Sequence, residues 1–235
     1  MQNYLEGLVD SCQTNASNAA RLAGMQPSTL TRAKNPTIST LSKLASGLRM
    51  EMNLSFTPIQ DPNAIVDFES IYTNEPPAGD WLDYGAKVLT KATTAQLALL
   101  VSRHSRLSDR KGAVLVDSPS QWFEVADLTD AATNNLHWWM SGPAACWAAG
   151  LEGADEPPEF VVYSDRHEYV AQALQSSAGG NGKTWVLPSS PQINTTGQIL
   201  APGQRWTNLG RATIDTICTS WGSENLERIS QWVGA

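Results

Sequence analysis

The sequence predicts a two-part chain: an all-α head of short helices, then a body of the α/β or α+β class. Three observations predict it. Apolar residues recur at i, i+3, i+4 and i+7 spacing along the first fifty residues. Beyond residue 80, short β-rich apolar runs alternate with runs of helical period. Between them, Pro58, Pro62, Pro76, Pro77 and Gly79 stand among acids, so 57–80 reads as a linker or irregular connection. The expected boundaries are therefore 1–56, 57–80 and 81–235.

In the head, Leu5, Leu8, Val9 and Cys12 make the first helical stripe. Ala16, Ala19, Ala20 and Ala23 repeat the spacing over 15–23, and their small side chains allow close helix contact. Gly24 supplies the left-handed residue that ends this helix. Pro27 suits the first turn of the next, where its missing N–H costs nothing. Over 38–48, Ile38, Leu41, Leu44, Ala45 and Leu48 form a core face, so the head is expected to be four short helices ending near 52–56. Helix, glycine turn and proline-started helix together are the pattern of a helix-turn-helix DNA-binding unit.

The body is expected to run as follows. A helix spans 92–103, with Leu97, Leu100, Val101 and His104 on one stripe. Strands are expected at 113–116, 122–125, 160–163 and 184–187. Helices are expected at 143–149, closed by Gly150, at 167–174, around Ile214, Ile217, Cys218 and Trp221, and around Leu226, Ile229 and Val233.

Size and composition fit a small domain followed by a larger one. The chain has 235 residues, 41% apolar and 17% charged, which permits a substantial core and argues against disorder. No apolar run reaches membrane-spanning length. The first residues lack a basic start and an apolar stretch, so no secretory signal is expected. Cys12, Cys146 and Cys218 show no metal-ligand spacing and read as free thiols of a cytoplasmic protein.

Charge is divided unevenly. The net charge is −7, yet residues 1–56 carry five bases and three acids, a balance of +2 that leaves −9 for the rest. A mildly basic head can meet phosphate, while an acidic body is better suited to a protein partner.

Two motifs in the body point to chemistry and are read as structural. Ser177-Ala178-Gly179-Gly180-Asn181-Gly182-Lys183-Thr184 ends like a Walker A loop. It begins with Ser177 where that motif requires Gly, and Trp185-Val186-Leu187-Pro188 behind it reads as a strand, where a phosphate loop opens a helix. It is expected to be a hairpin or helix-to-strand turn. Asp165-Arg166-His167-Glu168 reads as a solvated helix N-terminus, where acids suit the dipole. No nucleophile elbow, Ser-His-Asp order or metal-ligand pattern is present, so no enzyme activity and no cofactor are expected. Nine tryptophans are many for this length, and most are expected in the core. Trp138 and Trp139, adjacent in a strand, must face opposite sides, which would leave one ring for a protein interface.

The stretch 15–32, Asn-Ala-Ser-Asn-Ala-Ala-Arg-Leu-Ala-Gly-Met-Gln-Pro-Ser-Thr-Leu-Thr-Arg, with Leu41-Ser42-Lys43-Leu44-Ala45 behind it, resembles the lambda-repressor-like (XRE-type) helix-turn-helix family. The resemblance implies that the helix opening at Pro27 lies in the major groove. Matched by position, Pro27, Ser28 and Arg32 face bases, Gln26, Thr29 and Lys34 hold phosphate or flank the groove, and Asn15 faces backbone. Arg32 would be the main reader, since a guanidinium can bond guanine O6 and N7 together. So few bases imply weak, salt-sensitive binding to operator DNA that needs a homodimer or a second contacting surface.

In the body, Trp139-Met140-Ser141-Gly142-Pro143-Ala144-Ala145, then Gly150-Leu151 and Glu159-Phe160-Val161-Val162-Tyr163, is similar to the antitoxin domain of AbiE-type systems. The tail segments 214–223 and 227–232 are similar to its closing helices. This resemblance implies an antitoxin that represses its own operon and neutralises a nucleotidyltransferase-like toxin. The alternatives are a ligand-responsive or phage-type repressor with a sensing body, and a nucleotide-acting enzyme with a DNA-targeting head.

Overall fold

A computed structural model describes residues 15–28, 37–52, 57–89, 92–134, 136–151, 159–177, 180–201 and 204–234. It divides into two units, Met1–Thr57 and Pro58–Ala235.

In the first unit, α1 (Ala16–Leu22) is capped by Asn15, whose Oδ1 accepts from the Asn18 N–H at 3.0 Å. Gly24 has φ +62°, a left-handed conformation that a side chain would resist. The chain is helical again at Pro27 and Ser28. Helix α2 (Ile38–Gly47) is capped by the Thr37 hydroxyl. Ala19, Ala20 and Leu44 are buried together, with Ala23, Met25, Leu41 and Leu48 around them. Ile38, expected on this core face, is instead 59% exposed at the first turn of α2. The expected helix over 4–12 lies outside the described residues, as do 29–36 of the helix expected from Pro27.

The second unit is an α/β assembly around one mixed sheet. Its elements are α3 (Pro62–Glu69), α4 (Trp81–Val88), α5 (Thr94–Arg103), a 3₁₀ turn (Leu107–Asp109), β1 (Val114–Ser118), α6 (Trp122–Thr133), β2 (Trp138–Ser141) and α7 (Pro143–Ala148). There follow β3 (Glu159–Ser164), α8 (His167–Ser176), β4 (Gly182–Pro188), α9 (Pro191–Thr196), β5 (Gln198–Ala201), β6 (Gln204–Trp206), α10 (Leu209–Ile217), α11 (Ser220–Glu224) and α12 (Leu226–Gly234). The strand order is β1-β4-β3-β2-β6-β5. Strands β3 and β4 are parallel and β2 and β6 are parallel, while β1/β4, β2/β3 and β5/β6 are antiparallel.

Both faces of the sheet are covered. Phe160 and Val162 of β3 join Trp138, Met140 and Val186 in one core with α6, α7, α8 and α12. Val161 and Tyr163, one residue out of phase, join Trp139, Leu187 and Ile193 on the other face. This is why β3 is a continuous buried run without polar alternation. No helix among the described residues is long and apolar enough to cross a membrane.

Three expectations are corrected. The 57–80 segment is not a linker: α3 lies within it, with Asp61 as N-cap and Pro62 in the first turn. Ala64, Ile65 and Phe68 of α3 are buried against Leu97, Val101 and Ile214. The Pro/Gly stretch after it is tied down by buried Asp67, which accepts from the Gly79 and Trp81 N–H groups at 2.7 and 2.8 Å.

The second correction concerns 122–125, expected as a strand, which opens the twelve-residue helix α6. Two aromatic residues and a β-branched one among four look like β structure in isolation. Over the longer span, Val125, Ala126, Thr129 and Thr133 are buried at helical spacing. The Thr129 and Thr133 hydroxyls donate to the carbonyls one turn earlier, at 2.7 and 2.8 Å.

The third correction concerns Trp138 and Trp139. They do face opposite sides, but neither ring is free for a partner: they are 1% and 6% exposed. Helices and loops cover both faces of β2, and each indole N–H is engaged, by Asp130 and Asn194 respectively.

The contact of α2 with α1 is close enough to need glycine at residue 47. A Cβ added there would sit 2.4 Å from the Ala23 Cα, which is backbone and cannot turn away. Gly47→Ala should therefore lower the local stability of the first unit by about 1–3 kcal/mol. Amide hydrogen exchange checks this: Ala19, Ala20 and Leu44 should lose protection while Val161 and Val162 keep theirs. Gly234→Ala, where nothing lies within 4 Å, should change neither set.

Candidate functional site

In the first unit the described part of the expected DNA face is short. Gln26, Pro27 and Ser28 follow the Gly24 turn consecutively, and all three are exposed. Asn15 is exposed at the start of α1, with its side chain engaged as the cap. Asn18 Oδ1 accepts from Arg21 Nη2 at 2.8 Å on the same helix. Thr29, Arg32 and Lys34 lie outside the described residues. Lys43 is exposed on α2, and Arg49 follows it at φ 55°.

The second unit holds a feature that sequence reading missed. Helix α10 carries Arg211 and Asp215 one turn apart, both buried. Arg211 donates through Nε and Nη2 to the two oxygens of buried Glu69, at 2.9 and 2.6 Å. This fork-on-carboxylate geometry is the strongest pairing available to arginine. Asn208 joins it, donating to Glu69 at 2.8 Å, while its own Oδ1 caps α10. One turn along, Asp215 accepts from Arg110 Nη1 at 2.6 Å, from the Ser141 hydroxyl at 2.6 Å and from the Tyr163 hydroxyl at 2.9 Å. Thr207 extends the chain to Ser141.

Charge and burial oppose each other here. Burial works to lower the Arg211 pKa, but Glu69 reverses this and holds it above the usual arginine value. Burial acts likewise on Arg110, and Tyr163 and Asp215 hold it up. Burial also pushes the Tyr163 phenol upward, so it stays protonated. These residues are held as fixed donors and ion pairs.

Above this network opens a cavity of about 710 Å³. Tyr163, Arg110 and Arg211 lie on its lining, as do Ile65 and Val66 of α3, Leu187 and Pro188 at the end of β4, and Pro191 and Ile193 of α9. Its volume falls in the range of small-molecule sites. His104 stands beside it. It was expected on the α5 stripe and is instead the C-cap residue. Its Nδ1 donates to the Ile59 carbonyl at 2.8 Å, and its ring packs on Trp81.

The other sequence motifs carry no such geometry. Gly182 and Lys183 begin β4 after α8, a helix-to-strand connection, and exposed Lys183 pairs with Asp117 across the β1/β4 edge. Asp165 to Glu168 form the turn into α8. Among the described residues, no three His, Cys, Asp or Glu side chains gather to hold a metal. Little in the local sequence sets Glu69, Arg110, Tyr163, Arg211 and Asp215 apart, because the groups that pair them are distant in the chain. A charged residue on an otherwise buried helical stripe was the one available signal, and its partner lies 105 to 142 residues away. Compared with protein-family models, curated proteins and solved structures, the chain gives no match.

Removing one partner of a buried ion pair strands the other. Asp215→Ala should cost about 3–5 kcal/mol of unfolding free energy, measured by urea denaturation.

The buried thiols set an alkaline limit. Burial pushes Cys146 from 9.0 up to about 12 and Cys218 up to about 11. From pH 9 upward the folded chain thus keeps protons that the unfolded chain sheds. That share of stability is complete below pH 9 and is lost toward pH 12, by up to about 1.4 kcal/mol per pH unit per thiol. Cys146→Ala should flatten the fall in denaturation midpoint between pH 9 and 11.

Proposed function

We propose that the chain is a non-enzymatic, DNA-binding transcriptional repressor that grips operator DNA as a homodimer through its N-terminal unit. One observation carries this reading. Buried Ala19 and Ala20 pack α1 against Leu44 of α2, and the left-handed Gly24 starts a new helix at exposed Pro27 and Ser28. A packed helix pair that leaves the start of the next helix in solvent is the arrangement a major-groove reader requires. Base contacts are assigned to Ser28 and Arg32, and phosphate contacts to Gln26, Thr29 and Lys34.

For the body, one reading is an antitoxin surface for a nucleotidyltransferase-like toxin, and another is a sensing domain. The cavity of about 710 Å³ favours sensing, because its volume suits a small molecule. Burial of Trp138 and Trp139 removes the aromatic pair that argued for a protein interface. Co-purification with the product of the adjacent gene would bring back the antitoxin reading.

The full chain should shift DNA from upstream of its own gene at low salt, and failure to shift it overturns the repressor reading. Arg32→Ala should cost about 1–3 kcal/mol at one base position and relax specificity there. Lys34→Ala should weaken all sequences alike and reduce the salt slope by about one. Both are read by fluorescence anisotropy over a salt series.

A further inference from the structure

We propose that the body cavity is a binding site for a small organic carboxylate with an apolar remainder, the acid group seated on Arg211. The site lies wholly within the second unit, so the proposal goes beyond the operator reading and does not depend on it.

Arg211 supplies the first argument. It is 6% exposed, and what exposure it has opens on the cavity whose lining it joins. A guanidinium has donors on three nitrogens. Arg211 spends Nε and Nη2 on Glu69. Among the described residues no hydrogen bond is made by its Nη1, and this atom is not sealed from solvent. A charged donor at the cavity lining with no protein acceptor can bond a ligand oxygen, and a charge-assisted bond is stronger than a neutral one.

Beside it, Tyr163 and Arg110 are committed to each other and to Asp215. Tyr163 donates its hydroxyl proton to Asp215 and accepts from Arg110. Arg110 is fixed by Asp215 and by the Ser105 carbonyl, at 3.0 Å through Nε and 2.7 Å through Nη2. Glu69 and Asp215 are fully buried beneath and do not reach the lining. The floor therefore offers cationic N–H groups to a ligand and no carboxylate. A ligand oxygen on Nη1 would sit across the guanidinium from Glu69, so that Arg211 bridges two carboxylates. Acids do occur on the lining, as Asp61 and Asp109. Asp61 is occupied by the α3 cap and by the Trp81 indole N–H at 2.8 Å, and exposed Asp109 accepts from the Ser108 hydroxyl. Exposed Lys111 offsets one of them. Exposed charges of this kind are screened by solvent, whereas the floor is not.

The walls give the rest of the ligand its character. Ile65, Val66, Leu187, Pro191 and Ile193 are apolar and come from three elements. A buried cationic anchor beside apolar walls selects an amphipathic acid over a sugar or an inorganic ion.

The test is calorimetric titration of the full chain, without DNA, with two probes, octanoate and 3-phenylpropanoate. The matched amines, octylamine and 3-phenylpropylamine, serve as controls. At least one carboxylate should bind at millimolar concentration or below, and neither amine should. Arg211→Lys keeps a charge for Glu69 but loses the second donor arm, and should weaken binding at least about tenfold. Val66→Trp fills the half-buried wall without touching the ion pairs. It should abolish binding while the urea midpoint holds, which keeps the test valid if Arg211→Lys fails to fold. Octyl phosphate, binding more tightly than either carboxylate, would overturn the assignment of the head group. Absence of binding by both carboxylates, equal binding of the amines, or undiminished binding to Val66→Trp overturns the site.

Discussion

The second unit depends on the double ion pair of α10. Arg211 and Asp215 take two charges of opposite sign, one turn apart, into an interior where neither can be left unpaired. Each must find its complement on a different element. Glu69 fixes α3 against α10, Arg110 fixes the segment before β1, and Tyr163 and Ser141 fix β3 and β2. Five elements are thereby brought to one place by hydrogen-bond geometry, which is directional in a way that apolar contact is not. Such pairs add little net stability over a well-packed apolar core. Their contribution here is register: residues 210–216 are all buried, and an apolar helix so enclosed could rotate by a residue with little penalty. A rotated α10 would strand both charges.

That constraint explains the cavity. Tyr163 and Arg110 must turn toward Asp215, and Arg211 toward Glu69, so none of them can fill the space between α3, β4 and α9. Pro188 and Pro191 end β4 and start α9 over a short turn, which limits how far α9 can settle inward. An apolar core of the same size would collapse to native density. The polar floor prevents this, and the same groups that hold the space open determine what chemistry it can accept.

What the sequence disclosed follows from the range of the interactions. The class, most of the body's helices and the strands around Val116, Val161 and Val186 were legible because hydrophobic period and β-branching are local properties. Pro62 and Pro58 misled, since proline marks both a helix start and a loop, and only Asp61 before Pro62 distinguishes them. Trp122 to Val125 misled because four residues cannot discriminate period 2 from period 3.6. The adjacent tryptophans were placed on opposite faces correctly, but whether a face is covered is a property of the whole topology. The polar network was illegible for the same reason: Glu69 finds Arg211 across 142 residues.

The first unit solves the problem of small size differently. A domain of this length buries too little surface to rely on large side chains alone. Among its described residues the fully enclosed side chains are Ala19, Ala20 and Leu44, two of them methyl groups. Small residues let backbones approach, and Gly47 against Ala23 carries that approach to direct contact. Contact between backbones leaves little freedom for one helix to slide on the other, since no rotamer change can absorb the shift. The angle at which the chain leaves Gly24 is thus set by the packing of α1 on α2 and by one left-handed residue. A reading helix gains specificity only if its first turn is presented at a fixed angle. On the proposed operator reading, rigid contact of small residues behind that turn would meet the requirement with fewer side chains than a conventional core would need.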